Sequence, residues 1–416
     1  MKPSPAKALS PYGPQKLDTQ AATIHPHPKG CGFGPRSIKL PFRVKQPILA
    51  LGGQAKNTVC FLENNLALLS STHQDLNNPA DYLKFEKTVA NFLKKRPKII
   101  AYDLHPEYQS TKYAQQLSAI PCLPAGRSYY LSPIQHHHAH IASCMIENGL
   151  KNQKVIGVAF DGTGLGSDNA LWGAEFLICN YKNFQRKAHL KEIPLLGKEM
   201  AILEPWRLAA AWLYFAYKGR FLNLDIGFIK KFDKNKWQVL EKMYLSGFNA
   251  PLTSSMGRLF DAAASLALER YKANFEAELA IELEKSAISY SMPACRQAGA
   301  VSYKFKMIKD KDTYIIDPAL MFKEIVADLK AKEPKKKIAF RFHLTVAGMI
   351  KNLCLNLRRE TKINKIVLSG GVFQNKLLLG LSLDLLTQEN FNLFTHHNLS
   401  CNDSSISLGQ AAIANF

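Results

Sequence analysis

No two cysteines stand at CxxC spacing anywhere in these 416 residues, although eight cysteines are present. That excludes a zinc knuckle and gives no sign of a disulfide framework, so a reducing cytosol is the expected compartment. No apolar run approaches the roughly 18 residues that span a bilayer. The opening Met1-Lys-Pro-Ser-Pro lacks the hydrophobic segment of a signal peptide. A cytoplasmic protein without a membrane partner is therefore expected. Acids are scarce: 33 Asp and Glu stand against 54 Lys and Arg, a formal net charge of +21. Such a balance reads either as a solvated basic surface or as attraction for acidic partners and anionic substrates. Nucleic acid is not an expected partner, because no basic motif interleaved with aromatics accompanies the charge. Also missing is any evident Ser-His-Asp or reactive-cysteine set, so the nucleophile of any group transfer should arrive with the acceptor.

What is present concentrates between residues 134 and 179. Gln135 is followed by His136-His137-His138-Ala139-His140, and the apolar run Val155 to Phe160 by Asp161-Gly162-Thr163-Gly164. On a helix His136 and His140 are one turn apart and point to one side, as a shared metal requires. Ile141, Met145 and Ile146 give Gln135 to Asn148 an apolar rhythm, and Gly149 suits a helix C-terminus. Asp161 stands where a strand should end, ahead of a glycine-rich turn. The plainer alternative is a His-rich surface tract that binds metal adventitiously.

Further motifs follow in order. Lys365-Ile-Val-Leu-Ser369-Gly370-Gly371 runs towards Asn375 as strand, double-glycine turn and helix start. Cys401-Asn402-Asp403-Ser404-Ser405 precedes the apolar helical pattern that ends the chain. With Lys56-Asn57-Thr58, Asp103-Leu-His105-Pro106, Glu204-Pro-Trp206-Arg207 and Ser254-Ser-Met-Gly257-Arg258-Leu-Phe-Asp261, this series resembles the C-terminal carbamoyltransferase domain of HypF-type hydrogenase maturation proteins. That domain lies within the wider Kae1/TsaD and O-carbamoyltransferase superfamily. The resemblance runs from about Pro35 to Phe416. It implies an α/β, duplicated actin/Hsp70-like (ASKHA) fold of two lobes, with a nucleotide cleft and a helical insertion. The acylphosphatase-like, zinc-finger and YrdC-like domains of the full-length family have no counterpart in this sequence.

By that resemblance the metal ligands are His136, His140, Asp161 and Asp403. Two imidazoles and two carboxylates suit a divalent Fe or Zn and not a structural thiolate site. His137 and His138 are expected to pack or support. Asp403 has a rival role as a helix cap beside Asn402. Gly162, Thr163, Gly164, Gly370 and Gly371 are the candidate nucleotide-binding positions, since glycines let backbone amides approach phosphate. A tight turn is the alternative for Gly370-Gly371. Asn375 and Asn402 are candidate adenosine or ribose contacts for ATP or carbamoyl-adenylate. Lys56, Glu204, Arg207 and Arg258 are the candidate catalytic charges, with arginine suited to bidentate recognition of a carbamoyl or phosphate group. Asp103-Leu-His105-Pro106, after the strand Ile99 to Tyr102, is similar to a signature near the active cleft and reads equally as a strand-end turn. Lys56 also reads as an exposed turn lysine, Trp206 as core, and His343, at a helix start, as structural. Two departures stand out. The family has glycines where Ser404 and Ser405 stand, and usually Glu-Gly-Gln where Glu276-Ala277-Glu278 stands.

Residues 1–40, rich in Pro, Gly and basic residues, are expected to be a poorly ordered arm, with Ile38 to Phe42 as a linker. The first lobe is expected over 41–153 and the second over 154–416, with the helical insertion at about 195–342. Lys335-Lys336-Lys337 should be a loop before a helix, and Met292 to Gly299, including Cys295, an inserted loop. Two similar hairpin openings, near Pro47 and near Val155, suggest the duplication independently of the resemblance.

The functional expectation is transfer of carbamoyl from carbamoyl-adenylate to the C-terminal cysteine of a HypE-like acceptor, towards the cyanide ligands of [NiFe]-hydrogenase. A separate YrdC-like partner would make the adenylate. The rivals are an O-carbamoyltransferase on a small molecule, a tRNA threonylcarbamoyl transferase, and a non-catalytic actin-like partner from a split gene.

Overall fold

The computed structural model describes residues 24–25, 36–119, 129–290 and 301–416. Two mixed sheets carry it. In the first, β1 (Ile48–Ala50), β2 (Cys60–Glu63), β3 (Leu66–Leu69), β4 (Ile99–Asp103) and β5 (Tyr130–Ile134) lie in the order β3-β2-β1-β4-β5. β1 to β3 pair antiparallel, while β1, β4 and β5 run parallel. In the second, β6 (Val155–Leu165), β7 (Leu171–Cys179), β8 (Phe184–Leu190), β9 (Lys365–Ser369) and β10 (Asn392–Phe394) repeat that plan as β8-β7-β6-β9-β10. The directions repeat as well. The duplication expected from the hairpin openings is thus present strand for strand, and the fold is the α/β two-lobed class anticipated.

The local causes are plain. Ile48-Leu49-Ala50 and Val155 to Phe160 are buried throughout, as central strands covered on both faces must be. Asn64, at φ +57°, turns β2 into β3. Helix α1 (His136–Glu147) begins where the Gln135 side chain accepts the His138 N–H, and Gly149 follows its end at φ +65°. Helix α2 (Met256–Leu268) is capped by Ser255, as its sequence suggests. Helix α3 (Lys335–Thr361) and helix α4 (Ile406–Ile413) complete the frame around the site. One hydrophobic core joins the lobes. It gathers Ile48, Leu62 and Ala101 from the first sheet, Ala159 and Val367 from the second, and Ile141, Met145, Leu408 and Ala411 from α1 and α4 between them. The C-terminal helix α4 therefore packs on the first sheet although its sequence follows the second.

Several expectations need correction. Asp161-Gly-Thr-Gly is no turn: β6 continues to Leu165 through a bulge between Phe160 and Gly164, and the reversal comes after Gly166. Lys335 to Lys337 are the first turn of α3, because Pro334 sets the extended backbone from which that helix starts. His343 consequently lies inside α3 and not at a helix start. The region 195–342 is mostly helical but contains a hairpin, Lys306–Asp310 with Thr313–Asp317, which extends the second sheet beside β8. Arg36–Lys39 is a strand paired with β3, and Ile24–His25 pairs with it in turn, so ordered chain begins before residue 41. The rest of the expected arm and the segment Met292 to Gly299 lie outside the described residues. α3 is long and apolar enough to cross a membrane by composition, yet 61% of its apolar window is buried inside the molecule. Its buried face, from Ile338 to Leu357, is core.

Candidate metal centre and cleft

His136 and His140 project from the first turns of α1, Asp161 from the bulge of β6, and Asp403 from the turn before α4. One ligand atom from each lies within 4.8 Å of all the others. His136 Nε2 is 3.2 Å from Asp161 Oδ2 and 4.0 Å from Asp403 Oδ1. His140 Nε2 is 3.6 Å from each of the same two oxygens. Neither ring nitrogen of His140, though buried, has a hydrogen-bond partner. A buried imidazole left without partners costs free energy unless something else uses its lone pair. The donor set and this orphaned ring fit a divalent transition ion.

The electrostatics agree. Burial disfavours charge on His136, but Asp103, Asp161 and Asp403 overcome it and hold its pKa well above the usual value. Burial likewise opposes ionisation of Asp161, yet the hydrogen bond with His136 and the nearby His140 imidazole hold it well below the carboxylate range. Charges that stabilise protons here would stabilise a cation in their place.

Neighbours fix each ligand. The N–H of Gly371 donates to Asp161 Oδ1 at 3.1 Å, which leaves Oδ2 for the cluster. Gly370 makes the turn at φ +102°, where a Cβ would meet the Phe160 carbonyl oxygen at 2.2 Å. The double glycine is thus required by the close crossing of β6 and β9, whatever else it binds. A Cβ on Gly164 would stand 2.6 Å from the His137 ring and 2.7 Å from that of His136, so that glycine lets α1 lie against the bulge. Gly162 instead faces Glu276 and Arg258. Thr163 turns its hydroxyl to the Gly162 carbonyl at 2.6 Å.

Asn402, not Asp403, caps the short 3-10 turn Asp403–Ser405 that leads into α4: its Oδ1 accepts the Ser404 N–H at 3.1 Å. Asp403 is therefore free to face the histidines. Ser404 and Ser405 have negative φ, so the backbone there makes no demand for glycine. Asn375 caps the helix Lys376–Gln388, and its amide also meets His343 Nε2 at 2.9 Å. The side chains of both asparagines proposed for the adenosine are thus engaged in holding backbone turns and packing.

Of the four candidate catalytic charges, the structure brings two towards the cluster. Lys56 sits at φ +49° on the short strand Ala55–Asn57, which packs beside residues 403–405. Arg258, on α2, is buried. Its Nε lies 2.9 Å from Asp261 Oδ2 in poor hydrogen-bond alignment, its Nη2 is 3.2 Å from Glu276, and its Nη1 has no partner. Burial pushes Asp261 up to about 6 against the pull of that guanidinium. Glu204 and Arg207 pair with each other at 2.6 Å, and Arg207 also reaches the Leu196 carbonyl. Among the described residues no hydrogen bond or ion pair joins them to the cluster.

Tyr108 and one buried trio carry no signal in the sequence, whereas Asp103 lies in a motif that the sequence offers for the cleft. Tyr108 stacks on His105 at 4.2 Å. Burial, with Asp103, Asp403, Asp161 and Glu276 nearby, holds its phenol protonated well beyond the usual range. Asp103 accepts from His136 Nδ1 at 2.8 Å. A Ser-His-acid constellation does exist, against expectation: Ser369 Oγ is 2.9 Å from His396 Nε2, and His396 Nδ1 is 2.7 Å from Glu147 Oε2. Ser369 is fully buried, so the trio ties β9 to the end of α1 and offers no accessible nucleophile. No local signal could have revealed it, since its members are spread over residues 147 to 396.

Residues 43–147 match the family described as the HypF Kae1-like domain. Residues 157–410 match the carbamoyltransferase, Kae1-like domain, second subdomain. The chain belongs to the HypF carbamoyltransferase family. The carbamoyltransferase HypF of Synechocystis sp. is 34% identical over 394 residues, which cover 91% of this chain and 48% of that protein. A HypF homolog of Cupriavidus necator is 32% identical, with 88% of this chain covering 91% of that protein. The crystal structure of full-length HypF in the phosphate- and nucleotide-bound form superposes with a TM-score of 0.81 at 37% identity, over 92% of this chain and 57% of that one. This chain thus spans about half the length of the full-length HypF proteins it matches.

Proposed function

We propose that this chain transfers a carbamoyl group from carbamoyl-adenylate to an external thiolate, the C-terminal cysteine of a HypE-like acceptor, in [NiFe]-hydrogenase cyanide-ligand maturation. The observation that carries the proposal is the four-residue cluster between the two lobes, in a chain of the HypF family. His136, His140, Asp161 and Asp403 would hold iron or zinc. An ion bound there supplies a Lewis acid for carbamoyl or phosphoryl oxygen.

The chain's own side chains account for the rest of the proposed chemistry. Arg258 Nη1 is a buried donor without a partner beside Gly162, suited to an anionic oxygen. Lys56 adds an exposed positive charge on the opposite wall. Tyr108 keeps its proton among four carboxylates and can donate a hydrogen bond to a phosphate oxygen. Glu204 and Arg207 satisfy each other in their ion pair, so they take no part in the proposed transfer. Gly162, Thr163, Gly164, Gly370 and Gly371 frame the nucleotide side by their backbones, and Asn375 and Asn402 hold its turns. A thiolate is the expected acceptor because it is far more nucleophilic than a hydroxyl at neutral pH. Among the described residues Cys401 is the one free cysteine that is partly exposed, and burial pushes its thiol up to about 11, away from an activated thiolate. We place the reaction in the cytoplasm, where such thiols stay reduced.

Mass spectrometry of the acceptor tests the proposal. With carbamoyl-adenylate supplied, the HypE-like protein should gain about 43 Da, the carbamoyl replacing a proton. The gain should vanish when its terminal cysteine is removed. Transfer to an aminoglycoside hydroxyl or to tRNA, with the thiol unmodified, would assign the chain to another branch of the superfamily. No transfer to any acceptor would favour a non-catalytic partner.

A further inference from the structure

We infer that Asp103 is the positioning residue that sets the tautomer and aim of His136, an inference that rests on the metal reading above. Asp103 ends β4 and is fully buried. Its Oδ2 accepts from His136 Nδ1 at 2.8 Å, and its Oδ1 accepts the His105 N–H at 2.9 Å. Its own carbonyl accepts the Thr111 hydroxyl at 2.9 Å. Both carboxylate oxygens and the backbone are thus engaged, so the side chain has one arrangement.

A carboxylate engaged in this way can only accept. His136 must therefore carry its proton on Nδ1, and the lone pair available to an ion is that of Nε2, the nitrogen that faces Asp161 and Asp403. The negative charge behind the ring also strengthens Nε2 as a donor. His140 has no such support, since neither of its nitrogens is bonded. The two histidines are consequently unequal: His136 is aimed and strengthened through Asp103, whereas His140 is held by packing alone. Asparagine cannot replace this carboxylate. If its oxygen faced His136, its NH2 would meet the His105 N–H, donor against donor. If it were flipped, its NH2 would face Nδ1 and drive the ring proton onto Nε2, where the ion belongs.

The test is Zn(II) affinity of the full chain by chelator competition, with the visible spectrum of the Co(II) form as a second readout. Asp103→Asn and Asp103→Ser should each bind one ion per chain about 10–100-fold more weakly than the unaltered protein. Their Co(II) spectra should be shifted as well. Thr111→Val, which loosens the same loop but leaves the carboxylate-imidazole bond, should keep both affinity and spectrum. Two neutral replacements are used so that a folding failure of one leaves the other to decide. Unchanged affinity and spectrum in either folded Asp103 variant would overturn the inference, as would an equal loss in Thr111→Val. Failure of the unaltered chain to bind any ion would instead overturn the metal reading, and this inference with it.

Discussion

Ala277 holds its backbone at φ +65°, a conformation that costs an L-residue roughly 1–2 kcal/mol and glycine almost nothing. It directly follows Glu276, the partner of Arg258, and precedes the helix Glu278–Ile288. Ala277→Gly should raise stability by about 0.5–1 kcal/mol once the added freedom of the unfolded chain is counted. The midpoint of urea unfolding reads this, and a lower midpoint would show that the strain is not there. His343 makes a second prediction at this scale. Burial lowers its pKa to about 4. Its Nδ1–H donates to the Ala339 carbonyl in either charge state, while Nε2 accepts from Asn375 only when the ring is neutral. Because the folded pKa lies below the unfolded 6.5, its contribution is complete above pH 6.5. It is then lost as pH falls towards 4. Between pH 7 and pH 5 it should cost about 2 kcal/mol, and His343→Gln should flatten the unfolding free energy by that amount. His136, His140 and Asp161 stand out in the sequence through i, i+4 spacing and a carboxylate after an apolar run, whereas Asp403 joins them only through the resemblance to the family. Asp103 and Arg258 lie in recognisable motifs, but the imidazole that Asp103 faces, the unpartnered nitrogen of Arg258 and the place of Tyr108 are not legible, since each depends on neighbours remote in the chain.

Elements show where the local rules stop. α1 and α2 are readable because Gln135 and Ser255 cap apolar repeats, and β1 and β6 because short buried strands leave unbroken apolar runs. The bulge in β6 is not readable: of the glycines that suggest a turn, Gly164 is there because the His136 and His137 rings press on it. Lys335 to Lys337 look like a loop, yet the buried face from Ile338 onward draws them into α3 despite three like charges at a helix N-terminus. The return of α4 to the first sheet is equally hidden. It depends on Gly409, where a Cβ would stand 1.9 Å from the Ala139 carbonyl oxygen in α1. Gly409→Ala should force these helices apart and cost about 3 kcal/mol. A urea midpoint equal to that of the unaltered protein would mean that the contact is not as close as described.

At the scale of the whole molecule, the ligands are divided between elements that join the two lobes. His136 and His140 stand on a helix that follows the first sheet, Asp161 on the second sheet, and Asp403 before the helix that returns to the first. Closing or opening the cleft therefore changes the cluster itself. The full-length HypF relatives are about twice as long, and the matched family domains of this chain are the Kae1-like ones at residues 43–147 and 157–410. By itself the chain should form no carbamoyl-adenylate from carbamoyl phosphate and ATP, and chromatography of the nucleotide products would show the contrary at once. The central claim is narrower still: four side chains, from both halves of a duplicated fold, share one ion. Elemental analysis of the purified protein measures it directly. The account predicts close to one iron or zinc per chain, and none when His136 and His140 are both replaced by alanine in a protein that still folds. Equal metal content in the two proteins would contradict it.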